Sequence, residues 1–154
     1  MDWLTQLKVI GEIALAMVLC GAVGVEREAA DKPAGLRTHM LVGGAAAMFV
    51  ALGDALLTRF NMGSAYTAIQ SDPIRITQAI ITGVSFLGAG TILRRAKKEQ
   101  VEGLTTAASI LLCSGIGIAV ALQQYVLAVG TTILAVLILR VVYSLECRIS
   151  ECGK

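Results

Sequence analysis

Charge is scarce in this chain. Of its 154 residues only 16% are Asp, Glu, Lys or Arg, and the formal net charge is +2. Soluble domains carry about 25% charged residues. So small a positive excess excludes an electrostatic nucleic-acid binder, which needs a strongly basic face. Proline occurs twice and histidine once, so long helices can run unbroken and a multi-histidine metal centre is excluded. The four cysteines form no Cys-x-x-Cys pair, which removes the usual zinc signature. Cys20 and Cys113 fall inside apolar runs and read as small packing residues; Cys147 and Cys152 fall near the end and are expected to be reduced. Aromatics make up 5%, so any core must be built from small and aliphatic side chains. No Ser/His/Asp or Cys/His arrangement suggests nucleophilic catalysis, and the chain does not read as an enzyme. Gly88-Ala89-Gly90-Thr91 lacks the Gly-Lys-Ser/Thr ending of a phosphate loop, so no nucleotide cofactor is implied.

What the chain has in excess is apolar surface. Hydrophobic residues make up 56%, more than a chain this short can keep from water, which excludes disorder and points to lipid. A membrane helix needs about 20 mostly apolar residues. Five runs qualify, over residues 4–25 (or from 9), 36–57, 74–93, 103–122 and 125–145. They are continuous rather than alternating, which argues against a β-barrel. The expected fold is an all-α, five-helix transmembrane bundle over residues 1–146, with 147–154 as a short tail. Asp72-Pro73 reads as a cap followed by proline at the first helical position. Lys32-Pro33-Ala34-Gly35 reads as a turn, and Gln123-Gln124 as a tight polar break.

Lys and Arg divide unevenly between the two ends of such a bundle. Lys8, Arg59 and Arg75 fall on one side, and the other ten, including Arg27, Lys32, Arg37, Arg140 and the Arg94-Arg95-Ala96-Lys97-Lys98 run, fall on the other. The positive-inside rule then puts the N-terminus outside and the C-terminus in the cytoplasm. Trp3, Tyr66, Tyr125 and Tyr143 stand where interfacial anchors belong. The first residues lack the basic region and cleavage site of a signal peptide.

Helices in lipid associate through small residues. Stripes at i, i+4 spacing occur at Ala16, Cys20 and Gly24; at Gly43, Ala47, Ala51 and Ala55; and at Thr105, Ser109, Cys113, Gly117 and Ala121, while Gly83, Gly88 and Gly90 surround Phe86. With Thr106, these are candidate packing positions. Glu12 continues the first stripe and is expected to face protein. A carboxylate at the bilayer centre costs about 2.5–3.5 kcal/mol, so Glu12 is either an ion or proton site, a partner of Arg75 or Lys8, or an interfacial carboxylate. Glu26 lies fourteen residues on, on the same side of the helix and about 21 Å away. Glu26, Arg27, Glu28, Arg37, Thr38 and His39 are expected to converge at one mouth, either as one end of a polar path or as an ion-pair network that seats the turn. His39 titrates near neutral pH or serves as a hydrogen-bonding residue. Glu12, Glu26 and Asp72 are the candidate oxygen ligands if Mg²⁺ binds at all.

The run Gly21-Ala22-Val23-Gly24-Val25-Glu26-Arg27-Glu28, then Ala34-Gly35-Leu36-Arg37-Thr38-His39, resembles the opening signature of the MgtC/SapB family of bacterial inner-membrane proteins. Asp72-Pro73-Ile74-Arg75-Ile76 with Gly83-Val84-Ser85-Phe86-Leu87-Gly88-Ala89-Gly90, and Gly103-Leu104-Thr105-Thr106-Ala107-Ala108 with Ser114-Gly115-Ile116-Gly117, resemble its later signatures. Ser85 departs from the glycine expected there. The resemblance implies a five-helix inner-membrane domain of the short form, without the cytoplasmic C-terminal domain of many members. It also implies a role in magnesium homeostasis, acid and low-magnesium stress survival and virulence. That role would be exercised as a dimer and by regulating a membrane partner such as the proton-translocating ATP synthase. A small Mg²⁺ or proton transporter is the alternative.

Overall fold

The computed structural model describes residues 2–61, 73–93 and 103–152. Among the described residues five helices follow one another: α1 (Trp3–Ala29), α2 (Leu36–Asn61), α3 (Pro73–Leu93), α4 (Leu104–Ala121) and α5 (Tyr125–Cys152). The described residues contain no strand, and the fold is the all-α bundle that the apolar runs predict. Trp3–Ala29, Leu36–Arg59 and Leu104–Ala121 are each long and apolar enough to cross a membrane. Helices outrun their apolar spans because a helix ends where its backbone pairing ends, not where its hydrophobicity does. Thus α1 reaches Ala29 and α5 reaches Cys152. Pro73 opens α3, where its missing N–H costs nothing. Two short turns depend on left-handed residues, Asp31 after α1 and Gln123 between α4 and α5.

α4 is the central helix. It packs on α1, α2, α3 and α5, while among the described residues α3 meets α2 and α4, and α5 meets α1 and α4. The core is correspondingly small-grained: Ala16, Cys20, Val23, Ala46, Ala47, Ile110, Cys113, Ile116 and Val120 are buried. Around it, Val18, Leu41, Phe86, Val126, Leu134 and Ile138 stand exposed, an apolar exterior that suits hydrocarbon and not water.

The closest approach is where α1, α2 and α4 cross. A Cβ on Gly43 would meet Cys20 Sγ, and one on Gly117 would overlap the Gly43 carbonyl oxygen. The Gly117 hydrogen in that position points at the carbonyl, a Cα–H···O contact of the kind that helices in close approach share. Cys20 Sγ reaches the Cys113 carbonyl at 3.4 Å, which ties α1 to α4 at the same level. Gly103, with φ of +97°, starts α4 from a left-handed conformation; a Cβ there would lie 3.0 Å from the Thr91 carbonyl oxygen at the end of α3.

Candidate functional site

The six polar groups expected to converge near the α1–α2 turn go to four different places. Successive helical residues are about 100° apart, so Glu26, Arg27 and Glu28 fan out around α1. Glu26 accepts a 2.8 Å hydrogen bond from Arg140 Nε of α5. Glu28 Oε2 accepts from the Leu36 amide at 2.8 Å and so caps α2. Arg37 and Thr38 are exposed. Arg27 and His39 are buried, at 5% and 0% exposure.

His39 forms the best-defined polar link in the core. Its Nδ1–H donates to the Gly35 carbonyl at 2.8 Å, and Nε2 lies 2.9 Å from Ser109 Oγ on α4. Because a carbonyl can only accept, Nδ1 carries a proton, and in the neutral ring Nε2 is the acceptor. Ser109 Oγ also lies 2.9 Å from the Thr106 carbonyl, so its single proton has two acceptors within reach. Gly24 lets this link form: a Cβ there would meet Leu36 Cα at 2.7 Å and His39 Cβ at 3.1 Å. Arg27, one turn beyond Gly24, packs on the same side of α1. Its Nε is the buried side-chain N or O atom without a hydrogen-bond partner among the described residues.

At the opposite end of the bundle, Glu12 has a side chain only 12% exposed. Its Oε1 accepts from Tyr125 Oη at 3.2 Å and Gln123 Nε2 at 3.4 Å, with Lys8 Nζ at 3.9 Å. Two of the three carboxylates of α1, Glu12 and Glu26, therefore face α5, one near each end, and they fasten α1 to α5 rather than to one mouth. A crevice of about 420 Å³ opens beside Glu12 and is also lined by Thr5, Lys8, Asp54 and Gln123. Asp54 is not among the residues the sequence singles out, while Arg140 reads there only as a topological charge and Ser109 only as a small packing residue. Asp54 carried a legible signal, as the only carboxylate inside the second apolar run. The partners of Arg140 and Ser109 lie 114 and 70 residues away, beyond any local pattern.

Arg75 is exposed at the start of α3. Asp72, Tyr66 and the 94–98 basic run lie outside the described residues, as do the side chains of Tyr143, Cys147 and Cys152. Of the small-residue positions, Gly24, Gly43, Thr106, Cys113 and Gly117 are buried. Gly88 is buried against Ala107, whose Cβ would lie 3.3 Å from an added Cβ. Gly83 and Gly90 face open space, and Phe86 is 81% exposed.

The model of the MgtC family matches residues 13–148. The chain is 35% identical to a protein of Escherichia coli K12 named putative magnesium transporter YhiD, over 89% of this chain and 61% of that protein. It is 32% identical to protein SapB of Bacillus subtilis, over 77% of the chain and 50% of the relative. It is 37% identical to protein MgtC of Salmonella typhimurium, over 77% and 46%. The chain thus spans about half to three-fifths of the length of these relatives. No solved structure matches it. Apolar helices, their order and a family match over nearly the whole bundle agree: the chain is a membrane protein that belongs to the MgtC family.

Proposed function

We propose that this protein serves magnesium homeostasis during low-magnesium and acid stress by docking a second membrane protein, the membrane sector of the proton-translocating ATP synthase. The observation that supports this reading is the free face of α3. Phe86 projects there, 81% exposed, one turn from Gly90, around which there is open space. In lipid, where there is no hydrophobic drive between helices, association depends on close backbone approach and fitted side chains. A large aromatic one turn from a glycine offers a partner helix both a knob and a groove. The magnesium link is supported by the relative named a putative magnesium transporter.

Phe86→Ala and Gly90→Leu are expected to abolish growth support at low magnesium while leaving the melting temperature of the purified protein within a few degrees, since neither position packs in the bundle. A homodimer through the same face gives the same phenotype but doubles the mass of the purified protein, which light scattering detects. Normal growth with both variants would sink the docking reading.

A second reading, passage of Mg²⁺ or protons, draws on the crevice shared by Glu12 and Asp54. Magnesium takes oxygen ligands, keeps several waters and needs only one or two carboxylates. In liposomes, Glu12→Gln keeps the acceptor for Tyr125 and removes the charge. If the carboxylate is on a path, flux falls to the level of empty vesicles; unchanged flux takes Glu12 out of it.

A further inference from the structure

α2 and α3 diverge along the lipid-facing side of the bundle and leave a groove of about 490 Å³ between them. Its walls are apolar: Leu41 and Phe49 from α2, Ile80, Gly83 and Leu87 from α3. Both walls belong to helices of a membrane bundle, so the medium outside the groove is hydrocarbon. Gly83 sits in it with nothing within 4 Å of an added Cβ.

One end of the groove differs from the other. Beyond Leu41 and Val42, toward the start of α2, stand Arg37 and Thr38, each one turn (about 6 Å) along the helix from a groove residue. Both are exposed, and no described carboxylate pairs with Arg37. Their amides belong to the first turn of α2, whose N–H groups lack helical partners. Among the described residues the turn's hydrogen bonds engage Leu36 and His39 but leave the amides of Arg37 and Thr38 unused. The Glu28 carboxylate already sits on the Leu36 amide at the positive end of the helix dipole, so the net attraction for an anion comes from the Arg37 guanidinium. An apolar trough thus leads to a compact group of donors for an anion.

We infer that this groove binds one anionic phospholipid, with an acyl chain between α2 and α3 and the phosphate against Arg37, Thr38 and the free amides of α2. Charge complementarity selects this occupant: a second copy of the chain would bring its own arginine to the same end, and a zwitterionic lipid would fill the trough without net charge for Arg37.

Native mass spectrometry of the purified full chain tests this, with phosphatidylglycerol and phosphatidylcholine of identical chains offered together in mixed micelles. The wild type is expected to keep phosphatidylglycerol in preference. Arg37→Gln lowers that preference about fivefold, the share of one basic residue near a charged membrane surface, while phosphatidylcholine adducts persist. Arg37→Lys restores most of it. Gly83→Leu, which fills the trough without touching the donors, lowers adducts of both lipids. Helix content by circular dichroism confirms that each variant is folded. An unchanged lipid ratio in Arg37→Gln, unchanged adducts in folded Gly83→Leu, or a dimer mass that Gly83→Leu removes would each overturn the assignment.

Discussion

Gly117→Ala is expected to destabilise the protein by about 3 kcal/mol, the upper end of what one inserted methyl group costs in a tight core. The reason is what the methyl group would meet. Its nearest neighbours are the carbonyl oxygen and carbon of Gly43, then Ala46 Cβ at 3.1 Å. Backbone cannot rotate aside as a side chain can, and Gly43 is itself pressed from the other side by Cys20. α4 must therefore move away from α2, and every contact at that level loosens together, including Cys20 to the Cys113 carbonyl. Gly115 on the same helix is the control: nothing lies within 4 Å of an added Cβ, so Gly115→Ala is expected to be neutral or to gain a few tenths of a kcal/mol from helix propensity. Denaturant unfolding of both purified variants in one detergent checks the contrast. Equal stabilities would mean that α2 and α4 are not in contact at Gly43.

His39→Ala comes next in expected effect, also at about 3 kcal/mol. Two costs combine. A fully buried imidazole leaves a cavity, as in other large-to-small core substitutions. The Gly35 carbonyl also loses its side-chain donor, keeping only the residue 39 amide, and Ser109 loses its ring acceptor; each lost hydrogen bond costs about 1 kcal/mol. Ser109 keeps the Thr106 carbonyl, which limits its own loss, so Ser109→Ala is expected to cost less, about 1 kcal/mol. The double variant should then be more stable than the sum of the two by roughly 1 kcal/mol, because the second substitution removes a bond already broken. Strict additivity would show that the imidazole and the hydroxyl do not interact.

Much of the fold is legible in the residues themselves. Five apolar runs give five helices, Pro73 starts α3, and the Gln123-Gln124 break separates α4 from α5. The buried stripe Ala16, Cys20 and Gly24 follows from small residues at helical spacing. The site was less legible, for a physical reason. Helical geometry shows that Glu26, Arg27 and Glu28 diverge, but not what stands opposite each one. The partners are Arg140, the α1–α2 packing surface and the Leu36 amide, and only tertiary packing sets them there. His39 likewise finds Ser109 on a helix that the turn does not lead to. Gly83 and Gly90 carry the same small-residue pattern as Gly43 and Gly117, yet they face outward, because composition marks a surface made for close approach without naming which helix approaches it.

The proposed docking places the outward face of α3 against another membrane protein. The most direct test places a photoreactive phenylalanine analogue at position 86 of the full chain, irradiates cells grown at low magnesium and identifies the adduct by mass spectrometry. The expected result is a cross-link to a transmembrane subunit of the ATP synthase, lost when Gly90→Leu is added. Adducts to lipid alone, with the same probe at the same exposed position, would contradict it.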